Sequence, residues 1–157
     1  MRLALIVGPI LQMGDWIRVF IVIAQKVAGY ALGGLMGNIR VLLVDDSPQF
    51  LAVAKELLAA QPGIEVAGAA LSGREALELV VGLHPDVVLL DLFMPEMNGL
   101  EAAKRIKANP DAPRIIIVTM EDHAAFRAAA ADHGADGFVS KSVLPTQLLP
   151  LIRSLHT

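Results

Sequence analysis

Cysteine does not occur in the 157 residues, which excludes disulfides and thiolate metal sites and is compatible with a reducing cytoplasm, the location expected for the chain. Nor is there an excess of positive charge. The 13 Lys and Arg residues stand against 16 Asp and Glu, a net charge of -3, so no broad electrostatic footprint for nucleic acid exists and direct binding of it is not expected. Residues 39–157 alone hold 10 basic and 15 acidic groups, a balance that repels phosphate backbones and accommodates a divalent cation or a basic partner face. Long hydrophobic runs are missing too. The apolar N-terminal part has uncharged stretches at 3–14 and 27–38, twelve residues each, short of the roughly 18 to 20 that span a membrane. No small-x-small cleavage site follows them at the distance a signal peptide requires. Repeats and low-complexity tracts are absent as well.

What remains is a chain long enough for one domain burying roughly 68 to 70% of its unfolded surface. Residues 1–38 read as an apolar extension of uncertain role. Gly33, Gly34, Gly37 and Asn38 form a linker, and the functional chain is expected to start near Met36. From residue 39 to 157 the pattern alternates. Apolar runs of strand length lie at 41–44, 64–70, 87–90, 115–118 and 137–139, with helical periodicity between them.

The first helix, from Pro48 to about Ala60, has Ser47 as N-cap and turns Phe50, Val53, Ala54, Leu57 and Leu58 inward. The second opens on a capping box, Ser72 with Glu75, and buries Ala76, Leu79 and Val80. Asn98 and Glu101 predict the same reciprocal cap for the third. An alanine-rich fourth helix spans about 122–133 and is closed by Gly134. The fifth follows Ser142, points Leu144, Leu148, Leu149 and Ile152 inward, and contains Pro150, which costs about 3 kcal/mol unless the helix bends. Strands oily on both faces and alternating with helices predict an α/β fold: a five-stranded parallel sheet flanked by five helices, in the flavodoxin-like order 2-1-3-4-5.

Ligands of such sheets bind beyond the carboxyl ends of the strands, near the switch point. There the sequence sets Asp45 and Asp46 after the first strand, Asp91 at the end of the third, Thr119 at the end of the fourth and Lys141 after the fifth. Three apposed carboxylates raise one another's pKa and need a cation or Lys141 to stay ionised. An all-oxygen, highly charged set suits Mg²⁺. A flavin site needs a Ser/Thr/Gly-rich loop after the first strand, and that loop is acidic. His84, His123 and His133 have no metal-ligand spacing.

VLLVDDS, VVLLDLFMPEMNGLEAAKRIK, IIIVTM and GADGFVSKS resemble the signature segments of bacterial response-regulator receiver domains, the CheY-like family, and in wording the receivers of NarL/LuxR-type regulators. The resemblance spans roughly residues 39 to 156. It implies that Asp91 is the phosphoacceptor of a two-component system, attacking a phosphohistidine on a sensor kinase or phosphotransfer protein. It further implies that Asp45, Asp46, Asp91 and the Phe93 backbone carbonyl hold Mg²⁺. Thr119 and Lys141 then bind phosphoryl oxygens, and Thr119 with Phe138 forms the switch. The implied output is a protein contact through the fourth helix, fifth strand and fifth helix, with a homodimer as a further option.

Met120 stands where many receivers have alanine, and Ser142 where many have proline. Met120, Phe93 and Glu121 near the pocket mouth lead to the expectation of slow phosphate loss. The chain runs 16 residues past Lys141, which leads to the expectation of a stand-alone receiver that is a switch and not an enzyme. The alternative is a fragment of a LuxR/NarL-type transcription factor without its DNA-binding domain. A hydrolase of the haloacid dehalogenase type needs a second acid where Phe93 stands.

Overall fold

In the computed structural model the apolar runs become five parallel strands, β1 (Ile39–Val44), β2 (Ile64–Ala70), β3 (Val87–Asp91), β4 (Arg114–Thr119) and β5 (Gly137–Ser140), in the expected order β2-β1-β3-β4-β5. The structure describes residues 37–157 together with Phe20, Ile21, Ile23, Ala24 and Val27, which have helical backbone and are exposed. The expected extension over 1–38 and start near Met36 otherwise lie outside the described residues. Between the strands run α1 (Pro48–Ala59), α2 (Gly73–Leu83), α3 (Gly99–Lys107), α4 (Ala124–Asp132) and, after a 3-10 turn at Lys141–Val143, α5 (Leu144–His156).

Successive residues of a strand face opposite sides of a sheet, and that alternation divides the apolar residues into two cores. Leu42, Val44, Val88, Leu90, Ile115 and Ile117 pack beneath α2, α3 and α4, represented by Val80, Ile106 and Ala130. The intervening Val41, Leu43, Val87, Leu89, Ile116 and Val118 pack beneath Leu51, Ala54 and Leu58 of α1 and Leu144, Leu148 and Ile152 of α5. Each fully buried aliphatic side chain contributes about 1.5 to 3 kcal/mol relative to exposure. Registers such as Val41 opposite Val87 and Leu89 opposite Ile116 align the strand ends, so their C-terminal residues meet at one edge.

Several local expectations are corrected. On α1 the buried positions are Leu51, Ala54 and Leu58, with Phe50 and Leu57 half-buried. Val53 is 63% exposed, because the sheet-facing stripe is rotated by one position. Leu79 and Leu149 are likewise only half-buried. Ser72 Oγ accepts from the Glu75 N–H, but the Glu75 carboxylate accepts from the Leu71 N–H, one residue before the cap, so the expected box closes on the preceding residue and not on Ser72. Asn98 accepts from the Glu101 N–H at 2.9 Å, but the Glu101 carboxylate takes Arg105 at 2.7 Å instead of returning to the cap. The fourth helix begins at Ala124, later than expected, because Asp122 is engaged by Arg127 and His123 provides no side-chain cap. Pro150 sits on the exposed side of an unbroken α5, which lacks one backbone hydrogen bond there.

Two glycines have opposite requirements. A Cβ on Gly99 runs into the Asp91 carbonyl and lies 3.0 Å from the Leu92 Cα, whereas one on Gly82, late in α2, meets nothing within 4 Å. Gly99→Ala should therefore lower unfolding free energy by about 1 to 3 kcal/mol, and Gly82→Ala should raise it by roughly 0.5 to 1 kcal/mol. Urea denaturation of the two variants checks this; equal effects would refute the packing argument at Gly99.

Candidate functional site

The strand ends gather the polar groups that the sequence marked out. Asp45 continues β1 by donating its N–H to the Ala70 carbonyl, and its side chain is fully buried. One of its carboxylate oxygens accepts from the Ser47 N–H at 2.8 Å, and the other accepts from Lys141 Nζ at 2.6 Å. Asp91, the last residue of β3, is 6% exposed and lies 3.6 Å from the same ammonium. Asp46 is exposed beside them. Carboxylate oxygens of Asp45, Asp46 and Asp91 all fall within 4.8 Å of one another.

Burial first, then the charge of Asp45 and, more weakly, that of Asp46, raise the Asp91 carboxyl from its ordinary 3.8 to about 6; Lys141 and the Phe93 N–H pull it back. Lys141 sits closer to Asp45 than to Asp91, so it neutralises the cluster unequally. The donor set is all oxygen, crowded and short of positive charge. That chemistry fits a small hard divalent cation such as Mg²⁺.

Thr119 is fully buried at the end of β4, where its Oγ1 accepts from the Glu121 N–H at 3.3 Å. Phe138 is half-buried in β5 and packs against the core under α2, α3 and α4. The Phe93 ring, 49% exposed, is turned edge-on to Phe126 with centroids 5.4 Å apart. Met120 is 70% exposed. Asp45, Asp46, Asp91 and Lys141 are thus brought into one cluster, and Thr119 and Phe138 occupy the adjoining β4 and β5.

Three neighbouring residues were not singled out from the sequence. Phe50 places its ring 4.2 Å from Lys141 Nζ. Its position four residues after Asp46, in the first helical turn, was a usable signal, because side chains there lean back over the strand end. Arg127 stacks over Phe138, 4.7 Å from the ring centroid, and is gripped by both oxygens of Asp122 at 2.6 and 2.7 Å. The hydrogen bond from Arg127 holds the Asp122 carboxyl below its usual range. A five-residue spacing between them gave no helical i,i+4 signal.

The sequence family described as the response regulator receiver domain matches residues 41–153. The nitrate/nitrite response regulator protein NarL of Escherichia coli (strain K12) is 37% identical over 116 residues, which are 74% of this chain and 52% of NarL. Chemotaxis protein CheY of Thermotoga maritima is 38% identical over 117 residues, 74% of this chain and 96% of that protein. The crystal structure of the response regulator domain of Thermotoga maritima CheB superimposes with a TM-score of 0.71 at 36% identity, covering 76% of this chain and 98% of the other. The chain spans about half the length of NarL.

The raised pKa of Asp91 has a definite sign in folding. A carboxyl with a folded value near 6 and an unfolded value near 3.8 opposes folding when ionised: the penalty is absent below about pH 4, grows between about 4 and 6, and is constant above. Asp91→Asn should therefore be more stable than wild type by about 1 to 2 kcal/mol at pH 7.5 in EDTA, allowing for water at the rim, with the gap closing by about pH 4. Replacing EDTA by Mg²⁺ should stabilise wild type more than the variant. Denaturation midpoints across this pH range decide it; a gap of constant size would be inconsistent with a buried, charge-crowded Asp91.

Proposed function

The chain belongs to the response regulator receiver domain family, the switch modules of two-component signalling, and we propose that Asp91 is its phosphoacceptor. The donor is a phosphohistidine of a sensor kinase or phosphotransfer protein. One observation carries the reading: Asp91 is buried within a cluster of carboxylates and within reach of a lysine ammonium, at the end of the central strand.

At neutral pH most Asp91 side chains are ionised, since the carboxyl titrates at about 6. A carboxylate oxygen forms the new bond to phosphorus as the donor's phosphorus–nitrogen bond breaks in line, and the imidazole leaves carrying a proton taken from solvent. Such transfer demands positioning and charge compensation more than covalent assistance. Asp45, Asp46 and Asp91, with the Phe93 carbonyl, would hold Mg²⁺, whose chemistry is to neutralise the transferring group. Lys141 pairs with one phosphoryl oxygen, and the Thr119 hydroxyl donates to another. The product carries roughly one additional negative charge, which draws Thr119 inward and lets Phe138 turn into the space.

The output is a changed protein contact on the face made by α4, β5 and α5, either with a downstream protein or with a second copy. The chain acts as a switch, with only self-catalysed phosphorylation and dephosphorylation, and works in the cytoplasm without contacting nucleic acid itself. No helix among the described residues is long and apolar enough to cross a membrane. A second reading, the receiver portion of a longer DNA-binding regulator of the LuxR/NarL type, is favoured by the match to about half of NarL. The genomic sequence downstream of Thr157 discriminates the two.

Incubation with Mg²⁺ and acetyl phosphate should add one phosphoryl group by intact mass, and Asp91→Asn should stay unmodified. An unmodified wild type, or equal modification of the variant, overturns the assignment. With Phe93, Met120 and Glu121 at the pocket mouth limiting water, the adduct should persist for minutes or longer; decay within seconds would contradict that shielding.

A further inference from the structure

Lys141 carries its charge on a flexible four-carbon stem, yet it must be held between two carboxylates at unequal distances, 2.6 Å from Asp45 and 3.6 Å from Asp91. The ion pairs alone do not fix where the stem lies. The structure supplies a third contact, the ring of Phe50, with its centroid 4.2 Å from Nζ. This is well within the distance at which an ammonium is attracted by an aromatic face. Lys141 is mostly buried, with 13% of its side chain exposed, so the attraction operates with little competing water.

The placement of Phe50 follows from the first turn of α1. Ser47 is the N-cap, Pro48 the first helical residue, and the Phe50 N–H is bonded to Ser47 Oγ at 3.2 Å. The Ser47 N–H in turn donates to the Asp45 oxygen that does not face Lys141. The contacts therefore close a circuit: Lys141 to Asp45, Asp45 to Ser47, Ser47 to Phe50, and Phe50 back to Lys141. Every link but the last is a hydrogen bond, and all but Lys141 belong to the segment 45–50.

We propose that Phe50 is a positioning residue for phosphorylation, holding the Lys141 ammonium against Asp45 so that it faces Asp91 in a single orientation. The proposal rests on Asp91 being the phosphoacceptor. Phe50 also packs at the margin of the core under α1 and α5. A packing role alone requires only an apolar group of similar size, which leucine provides. The positioning role requires the aromatic face, which tyrosine keeps and leucine lacks.

Two measurements separate these roles. In wild type without metal, the Lys141 ε-methylene protons should be shifted upfield by the ring, assigned by their loss in Lys141→Arg. The shift should vanish in Phe50→Leu and persist in Phe50→Tyr. With Mg²⁺ and acetyl phosphate, Phe50→Leu should be phosphorylated roughly 3- to 10-fold more slowly than wild type, the range expected for one lost cation–π contact. Phe50→Tyr should restore the wild-type rate. Wild-type ε-protons at an ordinary lysine position overturn the proposal whether or not any variant folds, as does equal phosphorylation of wild type and Phe50→Leu. A wild type that takes up no phosphoryl group instead fails the phosphoacceptor reading itself, a result distinct from equal rates.

Discussion

Asp45 and Asp91 are buried at neighbouring strand ends, and an ammonium between them, that of Lys141, comes from the far end of the chain's fold, 96 residues beyond Asp45. That triangle is the constraint on which the site depends. Burial disfavours the ionised form of Asp91 most, and the neighbouring charges of Asp45 and, more weakly, Asp46 add repulsion. A single lysine offsets only part of it, which is why Asp91 stays elevated to about 6 while paired with a cation. The cluster keeps an unmet demand for positive charge, and that demand suits it to a divalent ion.

The sheet creates this demand through its own geometry. Period-two alternation puts Leu43 and Leu89 beneath α1 and α5, and two residues further along the same parity delivers Asp45 and Asp91 to that side. Lys141 lies just past β5, in the 3-10 turn, and reaches Asp45 from there. Val44, Leu90 and Ile117 belong to the opposite core, and Thr119 and Phe138 share its parity. Asp45 and Asp91 on one side and the Thr119–Phe138 pair on the other are therefore set by the apolar pattern that builds the cores. Gly99 makes the crowding possible, since no side chain fits between the start of α3 and the Asp91 carbonyl.

These relations explain what could be read in advance. The central strands β1, β3 and β4 are buried on both faces and write themselves as continuous runs, so the sheet and its order were legible, and with them the approach of Asp45, Asp46, Asp91 and Lys141 to one another. Helix faces were less legible. Choosing Val53 over Leu51 required the orientation of α1 on the sheet, which small shifts in helix phase decide. Glu101 had two partners in reach, the cap and Arg105, and a charged partner makes the stronger hydrogen bond. Phe50 was readable as apolar, but its contact with Lys141 joins segments 91 residues apart, a distance that no local pattern encodes.

On the other side of the sheet edge, the β4–α4 turn runs from Thr119 to the helix that covers Phe138. Thr119, buried at the end of β4, is tied by its hydroxyl to the Glu121 N–H. One residue later Asp122 grips Arg127 with both carboxylate oxygens, and the guanidinium carbon of Arg127 lies over the Phe138 ring. The Thr119 oxygen can accept the Glu121 N–H and donate its own proton at the same time, so this hydrogen bond anchors the turn without occupying the hydroxyl's donor. Both partners of the Asp122–Arg127 pair are nearly half exposed, so it orients the guanidinium geometrically while contributing little to stability. Thr119 and Phe138 are thus joined along the chain by the β4–α4 turn and the start of α4, as well as lying on adjoining strands.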